Sequence, residues 1–245
     1  MTFVISKSII LLTIILQFIA TALLAFLLLS CIDTSSNYSN VYLIDYKFNS
    51  SSSLYQHLTI KSNSTTLNDL DDISIKVGYL GVCLSIKDDL KCTTYKTLNS
   101  IPSYTLNFLS NQFNLLQIAQ TFETIIHPHL LMSCIFLTLA CLLILCYILL
   151  PLPGRIIMNK IGLFISFINL MLWGLGSMLQ VQSCKTAINL LSDSSFGLIS
   201  SKIGTRAEIM TWIAFSFNFV VFLCMLLSNW IDFRARKVVT SMGKV

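Results

Sequence analysis

Four windows of this chain, each longer than twenty residues, carry no charged side chain: 8–32, 130–152, 161–184 and 209–231. A helix needs about 20 apolar residues to cross the ~30 Å hydrocarbon core of a bilayer. The four windows therefore predict four membrane spans. The rest of the composition agrees, with 55% hydrophobic and 11% charged residues in 245. Soluble domains carry about 25% charged residues. That deficit excludes a simple soluble enzyme, a disordered chain and a nucleic-acid binder with a basic face. The first window is too long for a cleaved signal peptide, whose apolar core runs about 7–15 residues. It reads as a retained span. Leu28-Leu29-Ser30-Cys31 only faintly resembles a bacterial lipobox.

Orientation follows from the short segments between spans. Lys7, Arg155, Lys160, Arg234, Arg236, Lys237 and Lys244 fall on one side, opposed only by Asp232. Lys and Arg accumulate on the cytoplasmic side. The expected order is a cytoplasmic N-terminus 1–7, span 8–32, extracellular domain 33–129 and span 130–152. A cytoplasmic loop 153–160, span 161–184, extracellular loop 185–208, span 209–231 and cytoplasmic tail 232–245 follow. Three glycosylation sequons, at Asn37, Asn49 and Asn63, all fall in 33–129. A single match to so short a motif is weak, but the joint placement supports the same topology.

Residues 33–129 are too many for a plain connection, since structureless loops beyond about 12–15 residues are uncommon. Tyr42, Ile44, Tyr46 and Phe48 alternate, which predicts a strand over 41–48. Leu54 to Ile60 is a second candidate strand. Ile73 to Ile86 reads as the strongest strand, Lys87 to Leu90 as a turn and Lys91 to Tyr95 as its return. Thr105 to Ile126, with Phe108, Leu109, Phe113, Leu116, Ala119 and Phe122, has helical spacing and reads as a helix leading to Pro128. The expected fold is a four-span transmembrane helix bundle bearing a small β-rich domain between spans one and two.

Of eight cysteines, Cys134, Cys141, Cys146 and Cys224 lie inside spans, where the thiol acts as a small apolar group. Cys83 and Cys92 lie in the outer domain at a spacing a hairpin can close, and extracellular thiols so placed oxidise. A Cys83–Cys92 disulfide is expected. Cys31 and Cys184, near outer span ends, are open between a bridge and packing at the membrane edge, because a bridge needs Cα atoms within about 7 Å.

No phosphate loop, dinucleotide fingerprint or serine elbow is present. The histidines are His57, His127 and His129, and His127-Pro128-His129 suits interface anchoring better than metal binding, which needs further ligands. Neither catalysis nor a cofactor is expected. Asp71, Asp72, Asp88 and Asp89 are weak candidates for extracellular calcium, the ordinary reading being solvated turns. No Asp or Glu lies within a span, whereas cation pores commonly carry acidic rings or carbonyl filters. Gln17, Asn169, Gln180, Gln182 and Asn218 inside the windows read as hydrogen-bonding glue between helices.

The segment Gly78-Tyr79-Leu80-Gly81-Val82-Cys83, followed by Cys92, resembles the fungal factor-induced-gene membrane proteins. The similarity extends to Cys31, Tyr42-Leu43, Pro128, Gly204-Thr205-Arg206-Ala207 and Trp212. The family is remotely claudin-like, but claudins place a Trp upstream of the first cysteine, where Tyr79 and Leu80 stand here. The resemblance implies a plasma-membrane protein of mating, supporting low-affinity calcium influx and cell fusion. With no pore legible in the spans, a regulator or scaffold is the economical form of that role. The alternative is a claudin-like adhesion or membrane-domain organiser without transport. Implied partners are the lipid bilayer and calcium-channel subunits or further copies of the chain, not nucleic acid. Gly78, Gly81, Cys83 and Cys92 are the residues that carry the resemblance. The two glycines also make sense alone, as points of close backbone approach or a bulge.

Overall fold

A computed structural model of the chain describes residues 2–52, 55, 73–87, 89–100, 105–108, 111–126, 128–150 and 153–242. It is mostly helical, with four long apolar helices and a small antiparallel sheet carrying a disulfide. The long helices are α1 (Thr2–Leu28), α4 (Pro128–Leu149), α5 (Arg155–Ser194) and α6 (Thr205–Met242). All four are long and apolar enough to cross a membrane. Between them lie α2 (Ser36–Ser39) and α3 (Leu115–Ile125). The strands are β1 (Ile44–Phe48), β2 (Ile73–Val77), β3 (Gly81–Ile86), β4 (Asp89–Thr94), β5 (Thr105–Phe108), β6 (Asn111–Asn114) and β7 (Ile199–Ile203).

Contacts divide the chain into two compact units. The helical unit comprises Met1–Ala25, His129–Ser177 and Thr211–Val245. Its centre includes Ile10, Cys141, Leu145, Ile148, Val221 and Met225, all buried. Outward, the helices present large apolar side chains, Phe136 being 72% exposed. Such a surface is costly in water and costs nothing against lipid tails, which are as apolar as the side chains. Gly162 lies against Met225 and Ile144, and Gly174 against Phe215, where a Cβ would crowd the neighbouring helix. The interior amides bond across helices. Gln17 Nε2 donates to the Thr138 carbonyl at 3.2 Å, and Asn169 Nδ2 to Asn218 Oδ1 at 3.1 Å. Pro128 begins α4 as its first residue, where its missing N–H is no loss.

The sheet unit comprises Phe26–Pro128 and Met178–Met210. Its five-stranded antiparallel sheet has the order β4-β3-β2-β1-β7. The register sorts side chains cleanly. Ile44, Tyr46, Ile73, Ile75, Val77, Val82 and Leu84 share one face through cross-strand pairs. The amphipathic helix α3 covers that side, with Phe122 edge-on to Tyr46 at a centroid distance of 6.4 Å. The other face carries one row across all five strands: Cys92, Cys83, Lys76, Asp45 and Lys202.

Several sequence-based expectations need correction. The strand expected over 73–86 is a hairpin, β2 and β3. The Gly78 N–H bonds back to the Gly81 carbonyl at 2.9 Å, turning the chain within an unbroken apolar run. The helix expected from Thr105 begins only at Leu115, where Asn114 Oδ1 accepts the Leu116 N–H at 2.9 Å as an N-cap; β5 and β6 precede it. The segment 185–208 is not a plain loop. Helix α5 runs on to Ser194, and β7 then joins the sheet beside β1, so the sheet is not built solely between spans one and two. The expected strand at Leu54–Ile60 lies outside the described residues except for Tyr55.

Candidate functional site

The glycine–cysteine segment forms a clasp around the chain leaving α1. Cys83 and Cys92 are direct cross-strand partners in β3 and β4 and are joined by a disulfide, with Cα atoms 4.0 Å apart. Beside the bridge, the Ser30-Cys31 backbone lies on the hairpin. A Cβ placed on Gly78 would meet the Ser30 carbonyl oxygen, and one on Gly81 would meet the Cys31 carbonyl oxygen. The tight approach is locked by polar contacts. Tyr79 N–H donates to Ser30 Oγ at 2.9 Å, and the Tyr95 hydroxyl donates to the Gly78 carbonyl at 2.9 Å. The Tyr79 hydroxyl reaches Gln180 Oε1 on α5, also at 2.9 Å. Cys31 itself has a left-handed backbone, φ 58°, and its N–H bonds to the Tyr38 carbonyl. A third glycine, Gly204 at the start of α6, lies on the Tyr42 carbonyl in the same manner. The sheet is thus laced to the starts or ends of long helices at glycines, with backbone meeting backbone.

Cys31 and Cys184 are both free and buried, which decides between the two readings of that pair in favour of packing. Of the calcium candidates, Asp89 is exposed at the start of β4, while Asp71, Asp72 and Asp88 lie outside the described residues. Asn37 is exposed on α2; Asn63 is not among the described residues. Asn49 is half-buried, and its Nδ2 donates to the Gly197 carbonyl at 3.0 Å. Among the described residues no group of three or more His, Cys, Asp or Glu converges as a metal site.

One charged residue in this unit escaped the sequence reading. Asp45 in β1 is 6% exposed, flanked across the sheet by Lys76 and Lys202, with Lys47 Nζ 3.8 Å from its carboxylate. Its Oδ1 has no hydrogen-bond partner among the described residues. The signal was present: an acid on the polar face of a strand whose neighbours are lysines. Burial raises the Asp45 pKa above the usual carboxylate value, with Lys47, Lys76, Lys202 and Ser74 pulling it back less strongly. Burial likewise raises the Tyr95 hydroxyl, which keeps it a donor to Gly78. The folded state therefore holds the Asp45 proton to a higher pH than the unfolded chain does. Stability from this group is greatest at low pH and falls as pH rises through the window above ~4. Asp45→Asn should remove that slope. Thermal unfolding of detergent-solubilised protein from about pH 4 to neutrality checks it. The wild type should lose ground relative to the variant as pH rises.

Four long apolar helices, together with a disulfide-stapled antiparallel sheet, define a multi-pass membrane protein. The family model described as "Ca2+ regulator and membrane fusion protein Fig1" matches residues 57–231, and the chain belongs to that family. It is 30% identical to the Factor-induced gene 1 protein of Saccharomyces cerevisiae over 230 residues, covering 81% of this chain and 76% of that protein.

Proposed function

We propose that this protein is a non-enzymatic plasma-membrane regulator or scaffold that supports low-affinity calcium influx and membrane fusion during fungal mating. The observation that carries this reading is the family match over 57–231, which includes Gly78, Gly81, Cys83, Cys92 and helices α4, α5 and most of α6. The regulator form is favoured over a pore by the spans themselves. They hold no acidic side chain, and two of their interior amides are taken up by bonds between helices, Gln17 to the Thr138 carbonyl and Asn169 to Asn218. The sheet unit lies outside the cell and the termini inside, on the charge bias of the short segments. Its partners are calcium-channel subunits or further copies of the chain.

Calcium uptake during pheromone response, measured in cells lacking the protein, tests the role. Uptake should fall, while liposomes holding purified protein alone should remain calcium-tight. Unchanged uptake with defective adhesion or fusion would instead favour a membrane organiser with no transport role. Calcium entry into the liposomes would make the protein the channel itself.

The outside placement makes a second, sharper expectation. Asn37 should carry a glycan, because its side chain is exposed. Asn49 should not, because its side chain is half-buried with Nδ2 held against the Gly197 carbonyl, which leaves little room for a sugar at that nitrogen. Asn37→Gln should increase gel mobility and Asn49→Gln should leave it unchanged. A glycan lost with Asn49 would contradict the expectation.

A further inference from the structure

An apolar cleft of about 190 Å³ lies in the sheet unit between α3 and the last turns of α5, floored by Tyr46. Ile118, Phe122 and Ile125 form one wall, and Ala187, Leu190 and Leu191 the other. We propose that this cleft binds one acyl chain of a bilayer lipid.

Three observations select that occupant. The first is chemistry. Two of the three hydroxyl side chains that line the cleft turn back to their own helices: Thr121 Oγ1 donates to the Gln117 carbonyl at 2.9 Å, and Ser194 Oγ to the Leu191 carbonyl at 3.4 Å. A peptide or sugar entering here would lose hydrogen bonds to water and gain few in return, at a cost an acyl chain does not bear. The second is size. Small-molecule pockets usually enclose about 300–1,000 Å³. At about 190 Å³ this cleft is smaller than that, and a single acyl chain asks less room than a bulkier ligand.

The third is continuity with the bilayer. Helix α5 has 40 residues, about 60 Å, twice the hydrocarbon thickness. Its charge-free stretch ends at Lys185; at 1.5 Å per residue the cleft wall begins about 3 Å beyond that boundary, at Ala187, and ends about 14 Å beyond it, at Ser194. The opposite wall ends at Ile125, just before Pro128 begins the next span. The lips, Leu190 and Ile125, are 68% and 58% exposed. Met178 and Leu179, exposed apolar side chains within the charge-free stretch, precede Leu190 on the same helix. A chain rising from the outer lipid layer leaves one apolar medium for another. The gain comes from the cleft walls, which are otherwise wet.

The test uses the purified full-length protein in nanodiscs containing a phosphatidylcholine with a diazirine on its acyl chain. After irradiation, adducts are mapped by mass spectrometry. Adducts should concentrate on 115–126 and 187–194 as well as on the spans. Ala187→Trp fills the cleft, and Leu190→Asp puts a charge on its exposed lip. Each should cut cleft labelling by about ten-fold while span labelling stays constant. If Ala187→Trp does not fold, Leu190→Asp alone decides. Cleft labelling unchanged in the folded variant, labelling confined to the spans, or cleft peptides joined to a second copy would each overturn the proposal.

Discussion

Cys83→Ser and Cys92→Ser should each abolish delivery to the cell surface, and the double variant should be no worse than either single. The two residues face each other across β3 and β4 and share one bridge, so losing either loses the whole constraint. With nine residues of separation, chain entropy assigns the bridge about 2–3 kcal/mol. That is a large share of the roughly 5–15 kcal/mol by which domains are stable. The local supports are few. Strand β4 is the sheet edge, paired on one side only and half-exposed along its length. Without the bridge, the β3–β4 hairpin can part from the Ser30-Cys31 segment that it grips. Surface labelling with nonreducing gels on the three variants measures this. Normal surface levels in Cys83→Ser would show the bridge to be dispensable.

Gly81→Val should have a comparable effect by a different route. A Cβ at position 81 would overlap the Cys31 carbonyl and lie 3.0 Å from the Thr93 carbonyl oxygen. Both obstacles are backbone, so no rotamer change relieves them. Overpacking where neighbours can adjust costs about 1–3 kcal/mol, and here adjustment means moving the end of α1. Gly78→Ala should behave alike, since its Cβ would meet the Ser30 carbonyl. Gly154→Ala is the control. Nothing lies within 4 Å of its Cβ, and only its left-handed φ of 85° is strained, at about 1–2 kcal/mol. Surface levels should therefore rank Gly154→Ala well above Gly81→Val. Equal levels would mean the close approach carries no weight.

What the sequence made legible tracks how local each signal is. The long helices announced themselves through uncharged windows, because lipid imposes length and apolarity on every residue of a span. Gly78, Gly81, Cys83 and Cys92 were legible as a group because glycine and cysteine have few structural uses. Their partner in the fold was not, since nothing in Ser30-Cys31 says that its carbonyls will rest on glycines. The β5–β6 hairpin hid behind Phe108, Leu109 and Phe113, whose spacing with Leu116 imitates a helix until Asn114 caps the real one. Strand β7 hid because Ile199-Ser200-Ser201-Lys202-Ile203 puts a serine, not a hydrophobe, opposite Tyr46. Asp45 was visible as a residue but not as a buried one, because its burial depends on strands that arrive from both sides.

The placement of β7 has a consequence for how the protein is made. Phe48 pairs with Ile199, about 150 residues later in the chain. At synthesis rates of about 5–20 residues per second, β1 waits roughly 8–30 s for its second neighbour. The Cys83–Cys92 hairpin is complete long before then and can oxidise first. Until α5 has been threaded, the nascent sheet keeps one unsatisfied ladder along β1, beside buried Ile44, Tyr46 and Phe48. That interval is when a chaperone would have most to hold, and when a misfolded chain would first be recognised.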